Sequence, residues 1–284
     1  MSQVVKANAS MFEEIHQLLL DFNNSDITKD DWRNLFSHSW KGDDDQYGYV
    51  LVDGGKIVGF LGTIFSEREV DGTIRRFCNA TSWIVKPEYR NESALLVLAF
   101  LRTRNCTLTN LSPNPIATNV FTRLGFSVLN DETILRLPVP GFRVNTGCSV
   151  TADISEIETQ LPDKHLRLLH DHRRYKCRHL LMTRKDGKQC YIISTRIKRK
   201  RLWFAHVHYI SNLGFFVESI GLVTKELCKQ HRTGAIMIDK RFNETVRIPL
   251  GFTFRLPNPM LFKSEVLKPS QIDNLYSELI LLNI

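Results

Sequence analysis

A chain of 284 residues with 43% hydrophobic and 24% charged residues can bury the core of two modest domains or one large one, which excludes a disordered polymer. Its longest apolar run, 94–101, is far below the ~18 residues that span a bilayer, and MSQVVKANAS lacks the basic-then-apolar pattern of a leader, so a cytoplasmic protein is expected. The net charge of +8 is lopsided: 14 Lys and Arg against 17 Asp and Glu in residues 1–140 give −3, and 24 against 13 in residues 141–284 give +11. A basic half can attract an anionic cofactor, an anionic polymer or nucleic acid, and charge alone does not choose among them.

In chain order, 3–7 reads as a short strand, and Ser10 with Glu13 has the spacing of a capping box opening a helix whose Met11, Ile15, Leu18, Leu19 and Phe22 share one face. A second helix is predicted over 29–37. Strands follow at 47–52, 57–67 and 74–85, joined by the turns Asp53-Gly54-Gly55-Lys56 and Asp71-Gly72. A helix at 93–102, a strand at 107–111, a helix at 115–124 and a strand at 133–137 complete the first half. The stretch 137–148, with two prolines and two glycines, breaks every period and sets the expected boundary: domains 1–140 and 141–284.

The second half repeats part of this order, with strands at 180–183, 190–195 and 201–210, a helix at 215–230 and strands at 235–238 and 253–256. Phe121-Thr-Arg-Leu-Gly-Phe126 is echoed by Arg247-Ile-Pro-Leu-Gly-Phe252, and Ser82-Trp83-Ile84 by His208-Tyr209-Ile210, which implies a weak tandem repeat. Arg196-Ile-Lys-Arg-Lys-Arg201 is expected at a hairpin tip. His170, His172, Cys177 and His179 fit no familiar metal spacing, and no metal site is expected. Ser270 and Asp273, with Ile272, Leu275, Leu279 and Leu282 on one face, predict a C-terminal docking helix in which Tyr276 and Glu278 are structural.

Two motifs in the first half carry a resemblance. Trp83-Ile-Val-Lys-Pro-Glu-Tyr-Arg90 and Asn114-Pro-Ile-Ala117-Thr-Asn-Val-Phe121-Thr-Arg-Leu-Gly-Phe126 resemble the strand ending and the helix with its Gly-Phe turn in the GNAT (Gcn5-related N-acetyltransferase) superfamily. The resemblance covers residues 3–138. It implies an α/β (α+β) fold, a mixed central sheet flanked by helices, with a second, degenerate half of the same kind behind it. It also implies acetyl-CoA or another acyl-CoA as co-substrate and transfer of the acyl group to an amine, an amino sugar among the candidates. The cofactor residues carried over are Ile84 and Val85 through their backbone, Arg90, Asn91, Ser93 and Ala94 at the pyrophosphate turn, and Asn114, which is equally suited to cap its helix. The turn departs from the family pattern, with Ser93 and Leu95 where Gly and Gly or Ala stand, and Glu92 puts a negative charge where an anion should bind. Phe121 stands where many members have the Tyr that protonates the leaving thiolate. The base that takes the amine proton is sought among Glu67, Glu69, His206 and His208, with His208 as the candidate. The rival reading is a catalytically inactive module of the same fold binding CoA, a protein partner or an anionic polymer or nucleic acid. Transmembrane association is not expected, and oligomeric state is not legible.

Overall fold

The structure, a computed structural model, describes residues 2–42, 46–139, 147–243 and 247–284. Cα packing divides it into two units. The first comprises Met1–Leu129, Asn258–Gln271 and Tyr276–Leu282; the second comprises Asn130–Pro257, Ile272–Leu275 and Asn283–Ile284.

The first unit opens with β1 (Gln3–Lys6), α1 (Phe12–Leu19) and α2 (Lys29–Asn34). The expected cap at Ser10 is absent: Asn8 instead caps a short 3-10 turn by accepting from the Ser10 amide, and α1 follows without a side-chain cap. The reciprocal box sits on α2, where Thr28 Oγ1 accepts from the Asp31 amide at 3.2 Å and the Asp31 carboxylate accepts from the Thr28 amide at 3.1 Å. Strands β2 (Gly48–Asp53), β3 (Lys56–Val70) and β4 (Thr73–Val85) then form an antiparallel meander. Gly54 and Gly55, and Asp71 and Gly72, all have left-handed φ, as the expected two-residue turns require. Next come α3 (Ser93–Leu101), β5 (Thr107–Asn110) and α4 (Pro115–Arg123).

Strand order in this unit is β1-β2-β3-β4-β5, with the 258–263 part of β12 (Gly251–Lys263) antiparallel to β5 at the end. α3 is apolar all round, yet only one side is buried: Leu96, Val97 and Phe100 pack with Phe121 and Phe126 against Leu61, Phe65, Cys78 and Ala80 of the sheet. Strand side chains alternate, so Phe77, Asn79 and Thr81 occupy the opposite face. There Arg68 lies over the ring of Phe77 at 4.1 Å and that of Tyr276 at 5.3 Å, and Trp40 meets Tyr276 edge-on at 4.9 Å.

The second unit is built on β6 (Ser127–Arg136), β7 (Cys148–Thr151), β8 (Cys177–Arg184), β9 (Gln189–Arg199), β10 (Leu202–Ile210) and β11 (Ile236–Asp239). Its helices are α5 (Ile154–Gln160), α6 (Asp163–His172), α7 (Leu213–Glu218) and α8 (Ile220–His231). The order is β6-β11-β10-β9-β8-β7, with β10 and β11 parallel and the other neighbours antiparallel. Each unit is finished by a strand from the other half of the sequence: β6 pairs with β11, and β12 with β5. The expected hairpin tip at 196–201 is smaller than predicted. β9 runs on through Arg199 and only Lys200 and Arg201 turn, with φ of 56° and 120°. Ile197 is buried, while Arg196 and Lys198 lie over Trp203 at 4.2 and 5.7 Å.

The C-terminal segment is not the docking helix its periodicity suggests. A 3-10 turn at Pro269–Gln271 and the short α9 (Glu278–Leu281) are separated by irregular chain in which Asp273 accepts from the Leu275 amide at 2.8 Å. Asn274, Tyr276, Ser277 and Glu278 are all buried, and inward-facing polar groups on successive residues do not fit the single apolar stripe of an amphipathic helix. Part of the predicted boundary, 140–146, lies outside the described residues.

Candidate active site

β4 and β5 run parallel only from Phe77↔Thr107 to Asn79↔Thr109. β5 ends at Asn110, while β4 continues to Val85 with β3 as its only strand neighbour among the described residues, Gly59 opposite Val85 and Phe60 opposite Ile84. Two residues of β4, Ser82 and Trp83, oppose the single Leu61, since Gly62 faces Thr81 and Phe60 faces Ile84; Ser82 takes a left-handed φ of 52°. Such a bulge bends its strand and increases the local twist. The result is a wedge between β4 and β5 in which the outer backbone edge of 80–85, Ile84 and Val85 included, has no strand partner among the described residues.

β4 leads into a 3-10 turn at Pro87–Glu92 and then α3. Arg90 and Asn91 are exposed, as is Ala94. Ser93 turns inward on the chain, its hydroxyl donating to the Arg90 carbonyl at 2.7 Å and its amide to the same oxygen. On the far side of the wedge, Asn114 caps α4 by accepting from the Ala117 amide at 2.8 Å, and Pro115 fills the first helical position. α4 closes at Leu124, and Gly125, with φ of 86°, supplies the left-handed residue that turns the chain toward Phe126.

The profile of the acetyltransferase (GNAT) family matches residues 12–126, the stretch that holds the wedge, the turn and α4. Over residues 12–126 the chain is similar to a GNAT acetyltransferase domain. The solved structures agree on the fold. A conserved Enterococcus faecalis protein described as a probable N-acyltransferase superposes with a TM-score of 0.61 at 14% identity, over 92% of this chain and 72% of that one. A glucosamine N-acetyltransferase region of a fungal multi-domain β-N-acetylglucosaminidase gives 0.55 at 12% identity, over 92% and 38%. Saccharomyces cerevisiae N-myristoyltransferase with bound myristoyl-CoA gives 0.50 at 11% identity, over 97% and 83%. A comparison with curated protein sequences gives no match.

Within residues 12–126, Phe121 is fully buried, edge-on to Trp83 at 6.2 Å and to Phe126 at 5.0 Å, and has no proton to give. Glu67 and Glu69 are exposed, paired with Arg76 and Ile74 near the hairpin turn and so at the end of β4 away from the wedge. At the point of the wedge stands a group that sequence reading treated as structural. The Glu278 carboxylate accepts from the Asn79 side-chain amide and from Ser112 Oγ, the latter at 2.6 Å, and Thr109 Oγ1 donates to Asn79 Oδ1 at 2.9 Å. Burial, opposed by bonds from Ser112 and Asn79, raises the Glu278 pKa above the usual glutamate value. The signal in the sequence was weak: Asn79, Thr109 and Ser112 are polar residues at or beside buried strands, and their partner lies 199 residues from Asn79.

His206 and His208 lie in the second unit, away from this network in the chain. His208 is the extra residue of a bulge in β10, since Val207 faces Ser194 and Tyr209 faces Ile193. It is fully buried, its Nε2 is 2.8 Å from Thr195 Oγ1, and burial together with nearby His206 holds its pKa well below 6.5, so it is neutral. His206 Nε2 meets Asp239 Oδ1 at 3.1 Å. Burial works against charge on Asp239, but His206, Arg241 and Asn274 together keep its pKa well below the usual range. The histidines flagged upstream part company: His170 pairs with Glu158 at 2.5 Å, His179 with Tyr191 Oη at 2.7 Å, and His172 Nδ1 is 2.8 Å from the Leu168 carbonyl. Among the described residues no cluster of three or more His, Cys, Asp or Glu could hold a metal, and no helix is long and apolar enough to cross a membrane.

Proposed function

We propose that the chain is an acyl-CoA-dependent N-acyltransferase acting on an amine. The observation that supports this reading best is the β4–β5 wedge, with the open backbone edge of 80–85 on one wall. Ile84 and Val85 would offer peptide groups to the pantetheine arm, and Arg90, Asn91 and Ala94 at the turn would receive the pyrophosphate. The exposed Arg90 suits that task, whereas the Ser93 hydroxyl already serves the Arg90 carbonyl. Asn114 acts first as a cap, and contributes to the cofactor only through its remaining amide. When bound, the co-substrate supplies an activated acyl group; Phe121 leaves its thiolate to be protonated by solvent, which a leaving group of pKa near 8.5 tolerates.

Acetyl-CoA is the first donor to assay and an amino sugar the first acceptor, in keeping with the glucosamine N-acetyltransferase region that shares the fold. The second unit reads as a diverged repeat: β9, β10 and β11 reproduce the hairpin, the parallel pair and the bulge of β3, β4 and β5. The buried Phe121 favours a second reading, a module that binds CoA without catalysis. Measuring CoA release from acetyl-CoA in the presence of amines separates the two. Release that depends on the amine supports transfer; stabilisation by acetyl-CoA with no release supports the binding module.

A further inference from the structure

We infer that Glu278 is the general base that takes the proton from the acceptor amine, an inference that rests on the acyltransfer reading above. Asn79 belongs to the last parallel pair of β4 and β5, and Ser112 lies two residues beyond the end of β5. The Glu278 carboxylate is bound to both, so it stands where the two strands begin to part. An acyl group lying in the wedge has its reacting carbonyl between these strands, and an amine approaching from the Asn79 face meets this carboxylate. Cys78 and Ala80 face the other way, into the apolar core with α3 and α4. Asn79 and Ser112 fix the carboxylate's orientation, and burial strengthens it as a base.

In the step, the amine nitrogen forms a bond to the thioester carbonyl carbon as its N–H proton passes to Glu278. The C–S bond then breaks with its electron pair on sulfur, the CoA thiolate is protonated by solvent, and Glu278 returns its proton to solvent. Ionisable groups on the elements packed on this face are Arg68 of β3, His16 of α1, Asp31 and Arg33 of α2, His38 and Tyr276.

The test follows CoA release from acetyl-CoA with methoxyamine, an amine uncharged above about pH 6, as pH is raised to about 9. Wild type is expected to gain rate with pH through an acidic limb above the ordinary glutamate range. Glu278→Gln is expected to lose about a hundredfold in kcat together with that limb. Its acetyl-CoA-induced rise in Tm should match wild type, and Glu278→Asp should recover part of the rate. Should the Gln variant fail to fold, Asn79→Ser removes a donor that lowers the carboxyl pKa, and the limb should move to higher pH. A Gln variant within threefold of wild type, an unmoved limb in Asn79→Ser, or a wild type stabilised by acetyl-CoA but turning over no amine overturns the role of Glu278. A wild type that acetyl-CoA does not stabilise overturns the acyltransfer reading itself.

Discussion

Phe121 is a packing residue, fully buried among aromatic neighbours. Its ring fills the space among Trp83, Phe100 and Phe126, so Phe121→Ala is expected to cost about 3–5 kcal/mol, read as a lower midpoint in chemical denaturation. A Phe at this place in the motif was legible; that the ring is wholly enclosed was not, because burial depends on α3 arriving from elsewhere in the chain. Histidines of the second unit make a different prediction. Burial pushes His165, His179 and His231 down to about 4, so they are neutral in the fold and bind protons more readily when unfolded. Stability is therefore full above about pH 6.5 and falls as pH drops toward about 4, by on the order of 1–2 kcal/mol per histidine by pH 5. Urea midpoints at pH 7 and pH 5 check this; equal midpoints would count against neutral burial.

At the level of elements, local chemistry was read well from the sequence and distant pairing was not. The Gly54-Gly55 and Asp71-Gly72 turns announce themselves because left-handed φ demands these residues, and Asn114-Pro115 announces the start of α4. The wedge follows less directly, since the bulge at Ser82 and Trp83 has no glycine to mark it. The pairing of β6 with β11 and of β12 with β5 was hidden altogether: each partner lies a hundred residues or more away, and period-two alternation does not say which partner a strand takes. The Gly-Phe turn after α4 is the element most sensitive to one atom. Gly125→Ala would place a Cβ at φ of 86°, and a loss of about 1–2 kcal/mol is expected by thermal denaturation.

Across the whole molecule, the contrast between a −3 half and a +11 half was legible, but its meaning was not. Part of the basic run is engaged with Trp203, which tempers the case for a nucleic-acid surface; that rival requires an affinity falling steeply with salt. The C-terminal residues Tyr276–Leu282 belong to the first unit, so the candidate site draws on both ends of the sequence, and motif reading confined to residues 3–138 had no means of finding Glu278. The proposed function requires that the wedge and the Pro87–Glu92 turn hold an acyl-CoA. It is tested most directly by the Tm of wild type and Arg90→Ala with increasing acetyl-CoA. A ligand bound only to the folded state at about a hundredfold its Kd stabilises by about 2.7 kcal/mol, so wild type should gain several degrees and Arg90→Ala should gain none. An unchanged wild-type Tm at saturating acetyl-CoA, or an equal gain in both proteins, would contradict it.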